Sequence, residues 1–431
     1  MSLTQPQPTG VLIVLGGAGV GKTAFLRELA SRLRAKGAPV ASLFSRYSWQ
    51  PQQRQPPQAL QPQNGNSLRD AAGFARALAA AAADAGGWLQ AAALRAAVPP
   101  DHLANVTAAL AQIQADRPTV ACPASRSGSC RRPGSPSRRS ITVASLLTDT
   151  LALLSWVLEA LPEAAPRPVL LIDDAHVLRE WNSAQQAASH QALWQWLQTV
   201  SAGPRGAHVV LASGFGGFLE ELQGMAAGLS PIYLSAEVLG ELTQPEALQL
   251  LQSLAPPEQA ARLAENFTAV YEVVGGNPSL LHRCAASFRG DWRKAALAAT
   301  RDLRRGLRGV LSPTPNDGWA RWQLAKALKA VLQGPAEFGP LATALGNNGY
   351  WVIRNLVLRD MLALRPYSAW QRDLPADGWG PSDDSLLVVP GSGAAAFGMR
   401  QLPMPSDEEL RKEEEAAEGR HREYHRHERE R

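Results

Sequence analysis

Residues 16–23 read Gly16-Gly17-Ala18-Gly19-Val20-Gly21-Lys22-Thr23, which places glycines, a lysine and a hydroxyl at the spacing G-x-x-x-x-G-K-[ST]. Glycines let successive backbone N–H groups turn inward, and the N-terminus of a following helix adds positive potential, so such a loop cradles phosphates. In that chemistry Lys22 reaches the β- and γ-phosphates and Thr23 offers its hydroxyl to Mg²⁺. The competing reading is a glycine-rich turn that merely opens a helix. The Lys-Thr pair in register and a matching acidic strand far along the chain argue against it. The expected ligand is a nucleoside triphosphate, ATP with Mg²⁺.

The acidic strand is Val169-Leu170-Leu171-Ile172, an apolar run that ends in Asp173-Asp174. Ligands of α/β sheets gather at the carboxyl ends of the strands, so Asp173 is expected to hold Mg²⁺ through water or Thr23, and Asp174 to polarise the attacking water. The alternative for both carboxylates is a strand-to-helix cap. Ser213 closes another apolar run, Val209-Val210-Leu211-Ala212, where it either meets the γ-phosphate and its water or begins a turn before Gly214. His176 and His208 fall at element starts and receive no role.

These residues need a scaffold, and the apolar patterning supplies one. Val11-Leu12-Ile13-Val14-Leu15 reads as a strand buried on both faces, residues 24–33 as a helix, and 39–44 as a second strand, a βαβ-like opening of a mostly parallel sheet. Further strands are expected at 168–172, 208–212 and 231–234, with a helix over 177–200 between them. Residues 49–66 are rich in Gln and Pro and predict a loop, 68–90 and 102–114 predict alanine-rich helices, and 117–139 is basic, Ser- and Pro-rich and reads as disordered. Helical signal runs from 237 to 304, broken at Gly275-Gly276-Asn277-Pro278. Helices at 319–332 and 350–364, a strand at 385–389 and a helix at 394–401 suggest a winged-helix-like unit. Residues 406–431 offer no buried face and predict a solvated helix or a disordered tail.

The expected fold class is therefore α/β: a P-loop NTPase core with a mostly parallel sheet, then a helical lid and a winged-helix-like domain. The domains are 1–235 for the core, with an insertion at 46–140, then 236–312 for the lid, 313–404 for the winged-helix-like part and 405–431 for the charged tail. The 431 residues suffice for a large core, and 45% hydrophobic with 19% charged residues is an ordinary globular balance. A net charge of +5 permits nucleic acid without arguing for it. The three cysteines, Cys122, Cys130 and Cys284, argue against a disulfide framework. Residues 1–10 lack a secretory pattern and no apolar run approaches roughly 20 residues, so the reading is soluble, intracellular and cytoplasmic, without membrane insertion.

With Lys22-Thr23, Leu171-Ile172-Asp173-Asp174-Ala175-His176, Ser213 and Gly275-Gly276-Asn277-Pro278 in this order, the chain resembles the STAND and archaeal-type ATPases of the AAA+ group. The resemblance spans about residues 10–401. It implies a helical lid whose Gly-x-Pro turn, here Gly276 and Pro278, contacts the base or sugar, and a P-loop lysine, Walker B aspartate and polar sensor at Lys22, Asp173 and Ser213. Asp174 stands where many members carry Glu, one methylene longer, which implies slow, switch-like turnover. No arginine finger is assigned, and 46–140 has no counterpart in the family pattern.

The favoured function is an ATP-dependent switch or remodelling ATPase that signals to a protein partner through the angle of its C-terminal domains, with oligomerisation open. A nucleic-acid-binding ATPase is the alternative, using the winged helix and the basic positions Arg131, Arg132, Arg301, Arg304 and Arg305. A small-molecule kinase shares the P-loop, but the Asp173-Asp174 strand and the long helical region argue against it.

Overall fold

Val11–Leu15 (β1) and Val169–Ile172 (β3) are buried at every position, as a strand covered on both faces requires. Val40–Leu43 (β2), β3 and His208–Ser213 (β4) pair in parallel, with Val40 opposite Val169 and Val169 opposite His208. The five-stranded sheet has the order β2-β3-β4-β1-β5, where β5 is Leu234–Val238. Helix α1 (Lys22–Ala35) opens at the end of the glycine loop. This computed structural model describes residues 10–44, 68–84, 86–115, 143–182, 186–203, 205–219, 222, 234–310, 319–368, 370–374 and 386–430. The stretches 49–66 and 117–139, Cys122, Cys130 and residues 231–233 of an expected strand lie outside them.

The chain divides into two compact units, one holding residues 1–13, 23–213 and 226–235, the other 14–22, 214–225 and 236–431. In the first unit, α2 (Ala71–Ala83) is opened by Asp70, whose carboxylate accepts the Gly73 N–H at 2.7 Å. Its buried face, with Phe74 and Leu78, packs on α4 (Pro100–Ala115) and α5 (Val143–Ala160), while α3 (Ala92–Ala97) joins the same layer after a 3₁₀ turn at Trp88–Gln90. Two fully buried indoles fasten this layer. Trp181 meets Phe74 edge-on at 5.4 Å and donates to the Leu68 carbonyl at 3.0 Å, and Trp88 donates to the Val169 carbonyl at 3.2 Å. The helix expected over 177–200 is instead a 3₁₀ segment, Ala175–Asn182, followed by α6 (Ala187–Ala202). Apolar spacing at Val177, Leu178 and Trp181 suits either helix, so the sequence pattern does not separate them.

In the second unit, α7 (Gln244–Leu254), α8 (Pro257–Val274), α9 (Pro278–Ala286), α10 (Trp292–Ala299) and α11 (Arg301–Val310) share a core that includes Leu251, Phe267, Val270, Leu281 and Trp292. Thr243 caps α7, donating its N–H to the Glu246 carboxylate at 2.9 Å. Then follow α12 (Arg321–Gln333), β6 (Ala336–Glu337), α13 (Phe338–Ala344), α14 (Gly349–Leu358), β7 (Leu362–Pro366) and β8 (Leu386–Pro390), the strands forming an antiparallel sheet in the order β6-β8-β7. The helix expected to reach 364 stops at Leu358, because Asp360 takes a left-handed φ of 55° and Leu362 and Leu364 then bury one face of a strand.

Helix α15 (Gly393–Arg400) precedes α16 (Asp407–Glu430), the segment read from sequence as a tail with no buried face. That expectation is corrected at Leu410, which is buried against Trp322 and Ala325 of α12. Lys326 and Glu414 add an ion pair at 2.9 Å, a surface contact worth at most about 1 kcal/mol. Among the described residues no helix is long and apolar enough to cross a membrane.

Candidate functional site

The glycine loop belongs to the second unit. Gly19 and Gly21 adopt φ of 79° and 103°, values that side chains rarely take, so the sequence reserves glycine where the backbone must turn left-handed. Lys22 is 7% exposed, and its ammonium donates to the Gly16 carbonyl at 2.9 Å and the Gly17 carbonyl at 2.8 Å. The loop thus folds around its own lysine, and a phosphate oxygen would replace those carbonyls as a charged acceptor.

In the first unit, Thr23 at the start of α1 donates its hydroxyl to the Asp173 carboxylate at 2.6 Å, although 150 residues separate them. Asp173 is fully buried at the end of β3 and receives the Asp174 N–H at 3.1 Å on its other oxygen. Two hard oxygen donors side by side suit Mg²⁺, which takes one or two protein oxygens and fills its shell with phosphate and water. No group of three or more His, Cys, Asp or Glu that could hold a metal exists among the described residues, so Thr23 and Asp173 fit Mg²⁺ only together with such outside ligands. Asp174 has a left-handed φ of 50°, and its carbonyl accepts the Val177 N–H at 3.0 Å, which starts the 3₁₀ segment. Ser213 ends β4, fully buried, two residues beyond the registered pair Ile172–Leu211.

The turn between α8 and α9 lies in the second unit. Gly276 hydrogen-bonds through both its groups, the N–H to Glu241 at 3.0 Å and the carbonyl to the Leu242 N–H at 2.9 Å. Pro278 is the first residue of α9, where a missing N–H costs nothing. Asn277 between them does most. Its Oδ1 accepts from Ser279 and Leu280 at 3.1 and 3.2 Å, capping α9, while its Nδ2 donates to the Ala18 carbonyl at 2.8 Å. Gly19 leaves room for this approach, since a Cβ there would come within 2.7 Å of Ser279 and 2.8 Å of Asn277.

Four residues that received no individual role from the sequence stand beside this loop or its turn. Asn277 has a recognisable signal, an N-cap asparagine before proline. Asp360 and Gly391, together with Gly16 and Gly17, line a small cavity of about 20 Å³. Asp360 is open to solvent on one side and crowded by protein on the other; the crowding pushes its carboxyl pKa up and the Lys22 charge draws it down. Glu241 is buried, and no motif marks it.

A mostly parallel sheet with a glycine loop between β1 and α1, and a buried aspartate after β3 hydrogen-bonded to the threonine that follows the loop lysine, defines an α/β fold of the P-loop NTPase class. No family model and no curated protein matches the sequence. Solved structures similar to the chain include the Walker-type ATPase PABY2304 of Pyrococcus abyssi, at 12% identity over 92% of this chain and 91% of that one, with a TM-score of 0.45. ORC2 of Aeropyrum pernix in its ADP form is similar at 11% identity over 94% and 91%, with a TM-score of 0.38. A chain of the Drosophila ORC bound to DNA is similar at 13% identity over 90% and 88%, with a TM-score of 0.33.

Proposed function

We propose that the chain binds MgATP at residues 16–23 and hydrolyses it slowly, acting as a nucleotide switch of the AAA+ group with STAND or archaeal-type organisation. The observation that carries this reading is the 2.6 Å hydrogen bond from Thr23 to Asp173. Lys22 exchanges its two loop carbonyls for β- and γ-phosphate oxygens, and the loop N–H groups meet the remaining phosphate charge. Thr23 and Asp173 would hold Mg²⁺, which when bound would neutralise phosphate charge. Asp174 orients the attacking water and accepts its proton, and Ser213 steadies the γ-phosphate. Gly276 and Pro278 shape the lid turn at the base or sugar, with Asn277 tying that turn to the loop.

On this reading residues 236–312 are the lid. Residues 313–404, whose described part runs helix, strand, two helices, two strands and a final helix in that order, are a winged-helix unit whose angle a protein partner reads. The test is titration of wild type and Lys22→Ala with MgATP, with turnover followed by phosphate release. Wild type is expected to bind and turn over slowly while Lys22→Ala binds at least about tenfold more weakly. Equal binding by the two proteins would sink the assignment.

A nucleic-acid-binding ATPase is the second reading, favoured by the exposed face of α14. Trp351 there is 56% exposed with Arg354 stacked on it at 5.4 Å, and Tyr350 lies beside them. Turnover that rises with DNA or RNA in wild type but not in Trp351→Ala would select it.

A further inference from the structure

Glu241 follows β5 and is only 9% exposed. Its Oε2 accepts the N–H of Gly276 at 3.0 Å and of Gly393 at 3.2 Å, while Oε1 is buried without a hydrogen-bond partner. The next residue, Leu242, donates its N–H to the Gly276 carbonyl at 2.9 Å and accepts the Tyr271 hydroxyl at 3.0 Å. The Gly276 peptide is therefore held at both its groups, in a space so close that a Cβ would sit 1.8 Å from the Leu242 oxygen. Asn277 comes next, with its 2.8 Å bond to Ala18. A continuous run of bonds leads from a buried carboxylate to the middle of the glycine loop.

We propose that Glu241 is a positioning residue for the nucleotide loop: its carboxylate fixes the Gly276 amide, Gly276 aims Asn277, and Asn277 holds Ala18 in the phosphate cradle, so that losing a proton at Glu241 tightens nucleotide binding. The inference rests on the reading of residues 16–23 as an ATP site. Hydrogen bonds to an ionised acceptor are about twice as strong as those to a neutral one, so the protonation state sets the grip on both amides. Burial pushes the Glu241 carboxyl up to about 7, against the pull of the Gly393 and Gly276 N–H groups, which puts the change within the neutral range. Asp373 pushes the same way and Arg365, paired with Asp373 at 3.1 Å, opposes it. Tyr271, Glu272 and Arg400 line the same cavity of about 470 Å³, and Glu246 is paired with Arg372 at 3.0 Å nearby.

The test compares full-length wild type, Glu241→Gln, Asn277→Ala and the variant carrying both changes between pH 6 and pH 8. Gln keeps the size and the accepting oxygen but not the charge. MgATP affinity of wild type divided by that of Glu241→Gln is expected to rise about fivefold over this range, with the ratio cancelling titration of the phosphates themselves. In nucleotide-free protein, amide hydrogen exchange over residues 16–22 should be faster in Glu241→Gln than in wild type at pH 8 and equal at pH 6. In Asn277→Ala the added Glu241→Gln change should have no further effect. A ratio that stays flat, or unchanged exchange over 16–22 at pH 8, overturns the proposal. If wild type binds no MgATP, the ATP reading fails on its own and the exchange comparison alone decides the role of Glu241. Should Glu241→Gln not fold, wild-type exchange over 16–22, corrected for the intrinsic rate, decides instead: a step in protection sustains the proposal and a flat profile ends it.

Discussion

Asn277 donates to the Ala18 carbonyl at 2.8 Å across 259 positions of sequence, while its other side-chain atom caps α9. The two jobs use different atoms, so substitutions separate them. Asn277→Asp keeps the cap acceptor, removes the donor and brings negative charge to the loop proposed to hold phosphate. It should lower MgATP affinity by roughly tenfold with melting nearly unchanged, since the cap survives. Asn277→Ala should lose affinity and also about 1 kcal/mol of stability with the cap. Nucleotide titration beside thermal melting reads both, and wild-type affinity in Asn277→Asp would reduce the contact to a helix cap.

Thr23 and Asp173 share one short hydrogen bond, whereas Asp174 takes a left-handed backbone conformation, so the neighbouring carboxylates should fail differently. Asp173→Asn should raise the Mg²⁺ needed for binding by about 10- to 100-fold. Asp174→Asn suits a left-handed φ and should bind MgATP normally while slowing hydrolysis about 100-fold. Magnesium titration with single-turnover phosphate release distinguishes them. Unchanged turnover in Asp174→Asn would leave that residue as the start of the 3₁₀ segment.

The parts of this molecule that sequence makes legible are those in which residue type fixes local geometry. Glycines with Lys22-Thr23 specify a loop, and continuous apolar runs specify β1, β3 and β4. What escaped depends on tertiary neighbours. Residues 68–115 look like a plain alanine-rich insertion because alanine gives little contrast between faces, yet Phe74 and Trp88 are fully buried there. The strand β7 hides in a run with helical spacing until Asp360 breaks it. Glu241 carries no signal at all, because its partners are two backbone amides that only the fold brings near.

The same glutamate predicts how stability follows pH. Its folded pKa of about 7 lies above the ordinary 4.5, so the folded chain binds this proton more tightly than the unfolded chain. The contribution is fully present below about pH 4.5 and is lost as pH rises through 7, amounting to roughly 3 kcal/mol. Glu241→Gln cannot lose it. Denaturant unfolding at several pH values should therefore show wild type weakening relative to Glu241→Gln between pH 5 and pH 8. Parallel profiles would mean that the carboxylate ionises in the fold as readily as in water.

Asp360 offers the last test, because its charge acts on Lys22 within the second unit. A carboxylate that interacts with the lysine competes with the phosphates for the same positive charge and repels them directly. Asp360→Asn removes that competition while keeping the side-chain size, and asparagine tolerates the φ of 55° that most residues would resist. The Gly391 N–H bonds to the Met361 carbonyl at 2.7 Å, a backbone contact that the substitution leaves alone. Asp360→Asn should therefore bind MgATP about threefold more tightly than wild type, with melting little changed. Solvent on the open side of Asp360 limits the gain, and salt screens what is left, so the difference should shrink between about 50 mM and 500 mM ionic strength. Isothermal titration at both salt concentrations measures it. An affinity that falls would show that Asp360 supports the loop, and a gain that ignores salt would show that its charge is not what opposes the phosphates.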